Sequence, residues 1–595
     1  MYILGISCFY HESACCLIKD GKVVAASAEE RFSRNKHDSE FPELAIKFCL
    51  DRAKIKAKDI DFVAFYEKPF WKFQRILQST LATYPFSASL FTRAMTTWLT
   101  DKLWVRSIIS GKLEIDPGKV LFVPHHLSHA ASSFYPSGFK KAAILTVDGV
   151  GEWATTTYGS GDGNKIQIKK EIKFPHSLGL LYSVFTAFLG FEVNDGEYKV
   201  MGMAPYGKPK YTDKVKKLIN INRDGSYSLN MEYFTYHKSF KKSFSNKFKE
   251  LFGEPRQKDL HFFTKDSGYP SYFGDKPKNY NEICELNQRF ADIAASIQAV
   301  TEEILLLSVN NLHKETKLED LCIGGGVGLN SVANGMLLQK SPFKRIFIQP
   351  AAGDDGGSLG AAFYVYHSIL NKKRVFVQDN CYFGADFSNQ EIETFLKKKK
   401  LKYTNIKSEN KLIDFLTDEL KKDKVIGFFH GRAEWGPRAL GSRSILASPR
   451  KEEMKEIINT KIKFREPYRP FAPVTLVSKA AEYFEVGKKD HVSLTNFMLA
   501  VFDVKKSKRK IIPAVTHVDG TGRFQVVSEK QNSRYFNLIK RFGEKTGVYV
   551  LLNTSFNLKG EPIVNSPQDA LNTFGKSGLD LLVLENYIIR KEDLN

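Results

Sequence analysis

The sequence predicts an α/β protein of more than one domain, on three grounds. Strand-like runs alternate with helical patterns: ILGIS (3–7), VVAASAEE (23–30), AAILTVDGVGEWATTTYG (142–159), LCIGGGVGLN (321–330) and RIFIQPAAGDDGGSLGAAFYVY (345–366). That alternation is the rhythm of sheets flanked by helices. At 595 residues the chain exceeds what one hydrophobic core organises. With 43% hydrophobic and 26% charged residues, the composition is that of a folded globular protein and excludes bulk disorder.

The first segment, MYILGISCFYHESACCLIKDGKVVAA, has no basic start and its apolar run is broken by His11 and Glu12. It reads as a strand pair and not as a signal peptide. No apolar run reaches the roughly 18 residues of a membrane span, so a cytoplasmic protein without such a span is expected. Seven cysteines, at 8, 15, 16, 49, 284, 322 and 381, form no CxxC and are odd in number, which argues against a disulfide framework and a cysteine zinc site. Lys and Arg outnumber Asp and Glu by 88 to 66, an excess of +22 that raises the question of an acidic partner. Much of it lies in lysine runs such as 397–400 that lack interleaved aromatics, so a solvated surface is expected and nucleic acid is disfavoured.

Further along, residues 205–280 turn aromatic and lysine-rich without long apolar periodicity, the pattern of an insertion built of loops, where substrate contacts are expected. Apolar positions at three- and four-residue spacing predict a long helix over 284–313, bracing the glycine loop after it. A shift in composition at LNKKRVFVQDNCYFG sets a domain boundary near 371–382, giving domains at 1–375 and 383–595. No internal repeat is evident.

Two clusters carry chemistry. In VPHHLSHAAS, His125 and His129 stand four apart, so on a helix both imidazoles share one face and one metal; His126 with His129 is a geometric alternative. Asp148, and Asp354 with Asp355, sit at turn-like strand ends where they could complete the shell. Two imidazoles with one or two carboxylates suit a divalent first-row metal such as iron or zinc. Glycine turns at 148–151 and 324–330 let backbone amides approach a nucleotide, although neither is a Walker loop. The second cluster, GRAEWGPRALGSRSILASPR with NTKIKFREPYRPFAP, sets Arg432, Arg438, Arg443, Arg450, Lys463, Arg465 and Arg469 among rigid turns, suited to bidentate recognition of phosphate. Arg523 in VDGTGRF joins from another strand, and a strand running into Asn553, Thr554 and Ser555 offers polar groups at its end.

Taken in order, ILGISCFYHESA, EERFSRNKHDSEFP, HHLSHAAS, TVDGVGE, KVMGMAPYG, GGGVGLN, PAAGDDGGSLGAA, WGPRALGSRSIL, KFREPYRPFAP and LLNTSFN resemble the O-carbamoyltransferase family of nodulation, antibiotic and toxin biosynthesis along the whole chain. The resemblance implies an N-terminal domain of the actin-like ATPase superfamily with two subdomains, similar to the tRNA threonylcarbamoyl-transfer enzyme, fused to a C-terminal YrdC-like α/β domain. It implies that the C-terminal domain makes carbamoyl adenylate from carbamoyl phosphate and ATP, and that the N-terminal domain passes the carbamoyl group to a hydroxyl of a small molecule or sugar. Magnesium would accompany ATP.

By position in those motifs, His125, His129, Asp148 and Asp354 would hold an iron(II)-type metal, and Gly326 and Asn330 the carbamoyl adenylate. Arg438, Lys463, Arg469, Arg523, Asn553 and Ser555 would bind carbamoyl phosphate and nucleotide. His11 would deprotonate the acceptor, with Lys36 beside it, as suits a group titrating near neutral pH. A sugar kinase of the actin-like superfamily would share the glycine turns but leaves the second domain unexplained. A tRNA-modifying enzyme of the threonylcarbamoyl type would require a contiguous basic face with stacking aromatics.

Overall fold

In the computed structural model the chain divides into two compact units: residues 1–29, 37–260 and 288–378 form the first, and 30–36, 261–287 and 379–595 the second. The structure describes residues 1–100, 102–239, 242–258 and 260–594, with the side chains at 90, 93, 97, 99 and 100 left out of the description. Among the described residues no helix is long and apolar enough to cross a membrane. All seven cysteines are free and buried.

The first unit contains two five-stranded sheets. One is built from β1 (Tyr2–Ser7), β2 (Ala14–Lys19), β3 (Lys22–Ala28), β4 (Phe62–Phe65) and β5 (Val120–Phe122), in the order β3-β2-β1-β4-β5. The strands β1 to β3 pair antiparallel, and β4 and β5 add on parallel to β1. Between β3 and β4 runs α1 (Glu43–Ala53); between β4 and β5 run α2 (Pro69–Ala82) and α3 (Ala88–Thr100); α4 (His125–Phe134) follows β5.

The second sheet repeats this plan. Its strands are β6 (Lys141–Val147), β7 (Ala154–Asp162), β8 (Lys165–Lys173), β9 (Asp320–Gly324) and β10 (Arg345–Ile348), in the order β10-β9-β6-β7-β8. Here β6 to β8 are antiparallel, β9 and β10 are parallel to β6, and α5 (Asp354–Tyr364) follows the last strand. The sequence betrays no repeat because the duplication lies in topology: the same strand pattern is interrupted by inserts of very different length.

The closing helices are exchanged. α4 follows the first sheet yet packs on β6, β7 and β9, whereas α5 follows the second sheet and packs on β1, β2 and β4; the two helices also pack on each other. Every residue of α4 except Leu127 is buried. Their approach depends on Gly360: a Cβ there would stand 1.9 Å from the Ser128 carbonyl oxygen. The first turn of α4 and the first turn of α5 are thereby held together where β6 ends.

The helix expected over 284–313 runs from Tyr280 to Thr316. Of the expected insertion, 205–260 belongs to the first unit and 261–280 to the second. Within the former, Phe234, Phe248 and Phe252 are buried, with Phe248 and Phe252 each 5.2 Å from the Phe185 ring, so these aromatics form a core of their own.

The second unit is built on one mixed eight-stranded sheet. Its strands are β11 (Thr404–Asn405), β12 (Ile426–Phe429), β13 (Arg443–Ala447), β14 (Ala472–Leu476), β15 (Gln525–Val527), β16 (Val550–Ser555), β17 (Leu581–Leu584) and β18 (Tyr587–Arg590). Their order is β11-β18-β17-β12-β13-β16-β14-β15, with β12 to β17 and β18 almost wholly buried. Between β13 and β14 a helix over Met454–Ile458 passes into a π-helical turn, Asn459–Lys463, and ends at Phe464 with φ of 47°. Such turns are uncommon and concentrate at functional sites.

Candidate functional site

In the first unit, His125 and His129 lie one turn apart on α4, Asp148 follows β6 and Asp354 opens α5. One ligand atom from each falls within 4.8 Å of all the others. The two Nε2 atoms face each other at 3.0 Å; His125 Nε2 lies 3.1 Å from Asp148 Oδ2, and Asp354 Oδ1 is 3.5 Å from both rings. The Nδ1 atoms of both histidines are buried and make no hydrogen bond. Two imidazoles aimed at one another and at two carboxylates fit a divalent cation.

Electrostatics accentuate this. Burial opposes charge on His129, but Asp148 and Asp354 outweigh it and push the imidazole up to about 10. Against the same burial, the histidines hold Asp148 well below the usual carboxylate range and Asp354 at about 2. A proton on His129 thus occupies part of the role a metal would take. His126 is spent elsewhere: its ring nitrogens lie 2.6 Å from Thr146 Oγ1 and 2.8 Å from the Ala154 carbonyl oxygen, and burial followed by repulsion from His125 and His129 pushes it down to about 3. Asp355 also lies outside the group.

Two features that spacing did not reveal fix this cluster. Glu152, buried behind α4, accepts the His125 N–H at 2.9 Å and so caps the helix start. Gly325, at φ of 93°, makes a turn in which any Cβ would meet the Val147 carbonyl oxygen at 2.3 Å. That turn aims the Gly326 N–H at Asp148 Oδ1, 2.9 Å away. Gly326 therefore serves a cluster carboxylate. Asn330 caps the helix Ser331–Lys340 through the Ala333 N–H at 3.1 Å and exchanges amide hydrogen bonds with Gln298. His11, on the β1–β2 connection, has Nε2 3.7 Å from Asp354 Oδ2 and its side chain is 26% exposed, which puts it at the margin of the cluster. Lys36 is half-buried and belongs to the 30–36 segment of the second unit.

In the second unit, Arg438, Arg523, Arg469 and Lys463 press on one another. Burial and then Arg523 hold Arg438 well below the usual arginine range; burial and then Arg469 bring Arg523 down to about 10; burial, then Arg465 and Arg469, drive Lys463 far down. Cations gathered this way are stabilised by an anion. Lys463 Nζ also has protein partners: it donates to the carbonyl oxygen of Ser555, to the Asn557 carbonyl oxygen at 3.0 Å and to Asn557 Oδ1 at 2.9 Å. Ser555 Oγ donates to Asn557 Oδ1 at 2.7 Å. Asn553 Nδ2 donates to the Ala439 carbonyl oxygen at 3.1 Å, while its Oδ1 is buried with no partner.

Three arginines of the same stretch do not join this group. Arg443 is fully buried and donates to the carbonyl oxygens of His430, Gly431 and Ala385. Arg432 donates to those of Phe383 and Gly384, and Arg450 to Ser448 Oγ and the Lys421 carbonyl oxygen. Each cross-links loops where a pocket role was expected.

The residue that shapes the Arg438 loop is Glu434. Its buried Oε1 accepts the N–H groups of Leu440, Ser442 and Arg443 at 2.8, 2.7 and 3.1 Å. Glu434→Ala would leave these donors without a partner, so a loss of ~3 kcal/mol in urea unfolding is expected; a loss below ~0.5 kcal/mol, the range of ordinary surface changes, would contradict this role.

Two family models match the chain. Residues 2–363 match the model of the carbamoyltransferase N-terminus and residues 417–591 that of the carbamoyltransferase C-terminus. The chain is 44% identical to the uncharacterized protein sll1178 of Synechocystis, over 99% of this chain and 97% of that one. It is 35% identical to nodulation protein NolNO of Sinorhizobium fredii, over 98% of this chain and 79% of that protein. It is 33% identical to the 3'-hydroxymethylcephem-O-carbamoyltransferase of Amycolatopsis lactamdurans, over 55% and 60%. Among solved structures, HypF of T. kodakarensis overlaps loosely, with a TM-score of 0.32 and 13% identity over 62% of this chain and 48% of that one. The two family models match in order and together cover most of the sequence, and the chain belongs to the carbamoyltransferase family.

Proposed function

We propose that this chain is an ATP-dependent O-carbamoyltransferase whose two domains, 1–375 and 383–595, divide the reaction. In the C-terminal domain water hydrolyses carbamoyl phosphate to carbamate and phosphate, and a carbamate oxygen attacks the α-phosphorus of ATP; pyrophosphate leaves and carbamoyl adenylate forms. Arg438, Arg523, Arg469, Lys463, Asn553 and Ser555 bind carbamoyl phosphate and the nucleotide, the cations offsetting the charge of two phosphorylated reactants, and magnesium accompanies the nucleotide. In the N-terminal domain an acceptor hydroxyl attacks the carbamoyl carbon, AMP leaves and the carbamate ester remains.

His11 takes the hydroxyl proton at Nε2, Lys36 lies beside the acceptor, and Gly326 and Asn330 hold the carbamoyl adenylate. A divalent ion of the iron(II) type, held by His125, His129, Asp148 and Asp354, would supply Lewis acidity toward the carbamoyl group. The acceptor is a hydroxyl of a small molecule or a sugar.

One observation carries the reading: a buried histidine–aspartate group with a partly exposed histidine 3.7 Å from its edge, in a chain that matches both carbamoyltransferase models. The test is pyrophosphate release by the purified protein, with ATP and carbamoyl phosphate omitted in turn. Release that needs both substrates is expected. ATP turnover indifferent to carbamoyl phosphate would replace this reading with a phosphotransferase.

A further inference from the structure

The helix α2 is inside out. Its buried positions are Pro69, Lys72, Arg75 and Thr80, whereas Phe70, Trp71 and Leu81 are 71%, 47% and 64% exposed. Helices on a globular protein turn apolar residues inward, and lysine and arginine are almost never buried without a partner. A buried cationic face on a helix that leaves the sheet beside the histidine–aspartate cluster therefore calls for a cause.

The charges around it are unevenly matched. Lys72 Nζ is 2.5 Å from Glu67 Oε2 and lies 4.3 Å from the centre of the Tyr10 ring. Glu152 is occupied by the N–H groups of Lys68 and His125, at 2.8 and 2.9 Å. Arg75 is 7% exposed, its Nε is buried without a partner, and among the described residues its guanidinium makes no hydrogen bond or ion pair. It packs over the Phe174 ring at 4.9 Å. Tyr66, whose ring is 5.4 Å from that of His125, also keeps a buried hydroxyl with no partner. Tyr66 and Arg75 share Glu67 and Tyr10 as electrostatic neighbours. Among the described residues one planar five-donor fork and one hydroxyl are thus unspent, the hydroxyl on a ring that adjoins the cluster.

We propose that Arg75, flanked by Lys72 and Tyr66, forms an anion subsite of the first unit that takes a carboxylate or phosphate of the ligand on which the histidine–aspartate cluster acts. A guanidinium carries a planar fork of donors in the geometry that carboxylates and phosphates accept bidentately. The chemistry has two sources: an acidic group on the acceptor, or the phosphate of the adenylated donor. Calling either one the substrate of carbamoyl transfer rests on the function proposed above; the anion subsite itself does not.

Calorimetric titration of the wild type, Arg75→Gln and Arg75→Lys tests it with inorganic phosphate, with glucuronate against glucose as its uncharged control, and with AMP in an Arg523→Gln background that weakens the nucleotide site of the second unit. At least one anion is expected to bind about tenfold or more weakly to Arg75→Gln, with Arg75→Lys intermediate and glucose unaffected. Loss confined to glucuronate assigns the subsite to the acceptor, and loss confined to AMP assigns it to the donor. Arg75→Gln is also expected to melt at or above the wild-type temperature, since it removes a buried charge that lacks a partner. Equal affinities for all three anions, no binding by the wild type, or a lowered melting temperature with unchanged affinity would overturn the proposal and leave Arg75 a structural residue. Pyrophosphate release should persist in Arg75→Gln; its absence in the wild type would remove the carbamoyl reading and leave the anion result standing.

Discussion

Replacing His129 with alanine is expected to weaken divalent-metal binding ~100-fold or more and to lower carbamoyl transfer ~10³-fold, while pyrophosphate release by the second unit continues. The ring contributes one of the four converging ligand atoms found among the described residues, and its Nε2 faces that of His125 at 3.0 Å. Proton linkage sharpens the prediction. With no metal bound, burial is outweighed by Asp148 and Asp354, and His129 is pushed up to about 10 from an ordinary 6.5. Its contribution to stability is therefore complete below about pH 6.5 and is lost as pH rises through about 10. Because the metal must displace that proton, metal affinity should rise between pH 7 and 10 in the wild type, and the rise should flatten in His129→Ala. Metal content by elemental analysis and calorimetric titration across that range check both halves. Full metal occupancy in His129→Ala, or an affinity flat with pH in the wild type, would contradict the assignment.

Lys463→Met is expected to reduce pyrophosphate release ~10²-fold and to destabilise the second unit by ~3 kcal/mol. Lys463 is 4% exposed and joins the π-helical turn to the end of β16 through Ser555 and Asn557. Removing its ammonium strands those acceptors, and the turn that leads on to Arg469 loses its anchor. Lys463→Arg should not rescue release, because a planar fork does not fit where one point charge reaches several oxygens at once. Pyrophosphate assays alongside urea unfolding separate the two effects. Undiminished release in a destabilised protein would mean that the lysine only braces the strand.

Much of the scaffold was legible in the residues. The runs ILGIS, AAILTV, LCIG and RIFI became β1, β6, β9 and β10, because buried strands in mixed sheets are near-continuous apolar stretches. The i, i+4 spacing of His125 and His129 survived into α4, since helical periodicity is a local property. Spacing could not tell which donor is already used. His126 looks as available as its neighbours until Thr146 and the Ala154 carbonyl arrive from distant strands. Arg432, Arg443 and Arg450 look like Arg438 until their carbonyl partners are in place. Glu152 and Glu434 gave no signal because what they do is accept backbone N–H groups, which carry no residue signature. The inverted face of α2 carries no local signature, because which side of a helix is buried is set by the elements that pack on it.

The exchange of α4 and α5 makes the two halves of the first unit thermodynamically inseparable. A chain cut in the segment between α4 and β6 would yield two fragments, each carrying the cap that covers the other's sheet. Neither fragment could bury its own apolar surface alone, and each would be the natural complement of the other. His125 and His129 would travel with the first fragment, and Asp148 and Asp354 with the second. The ion-binding group would thus exist only in the reassembled pair, and a bound cation would act as a rivet across the join.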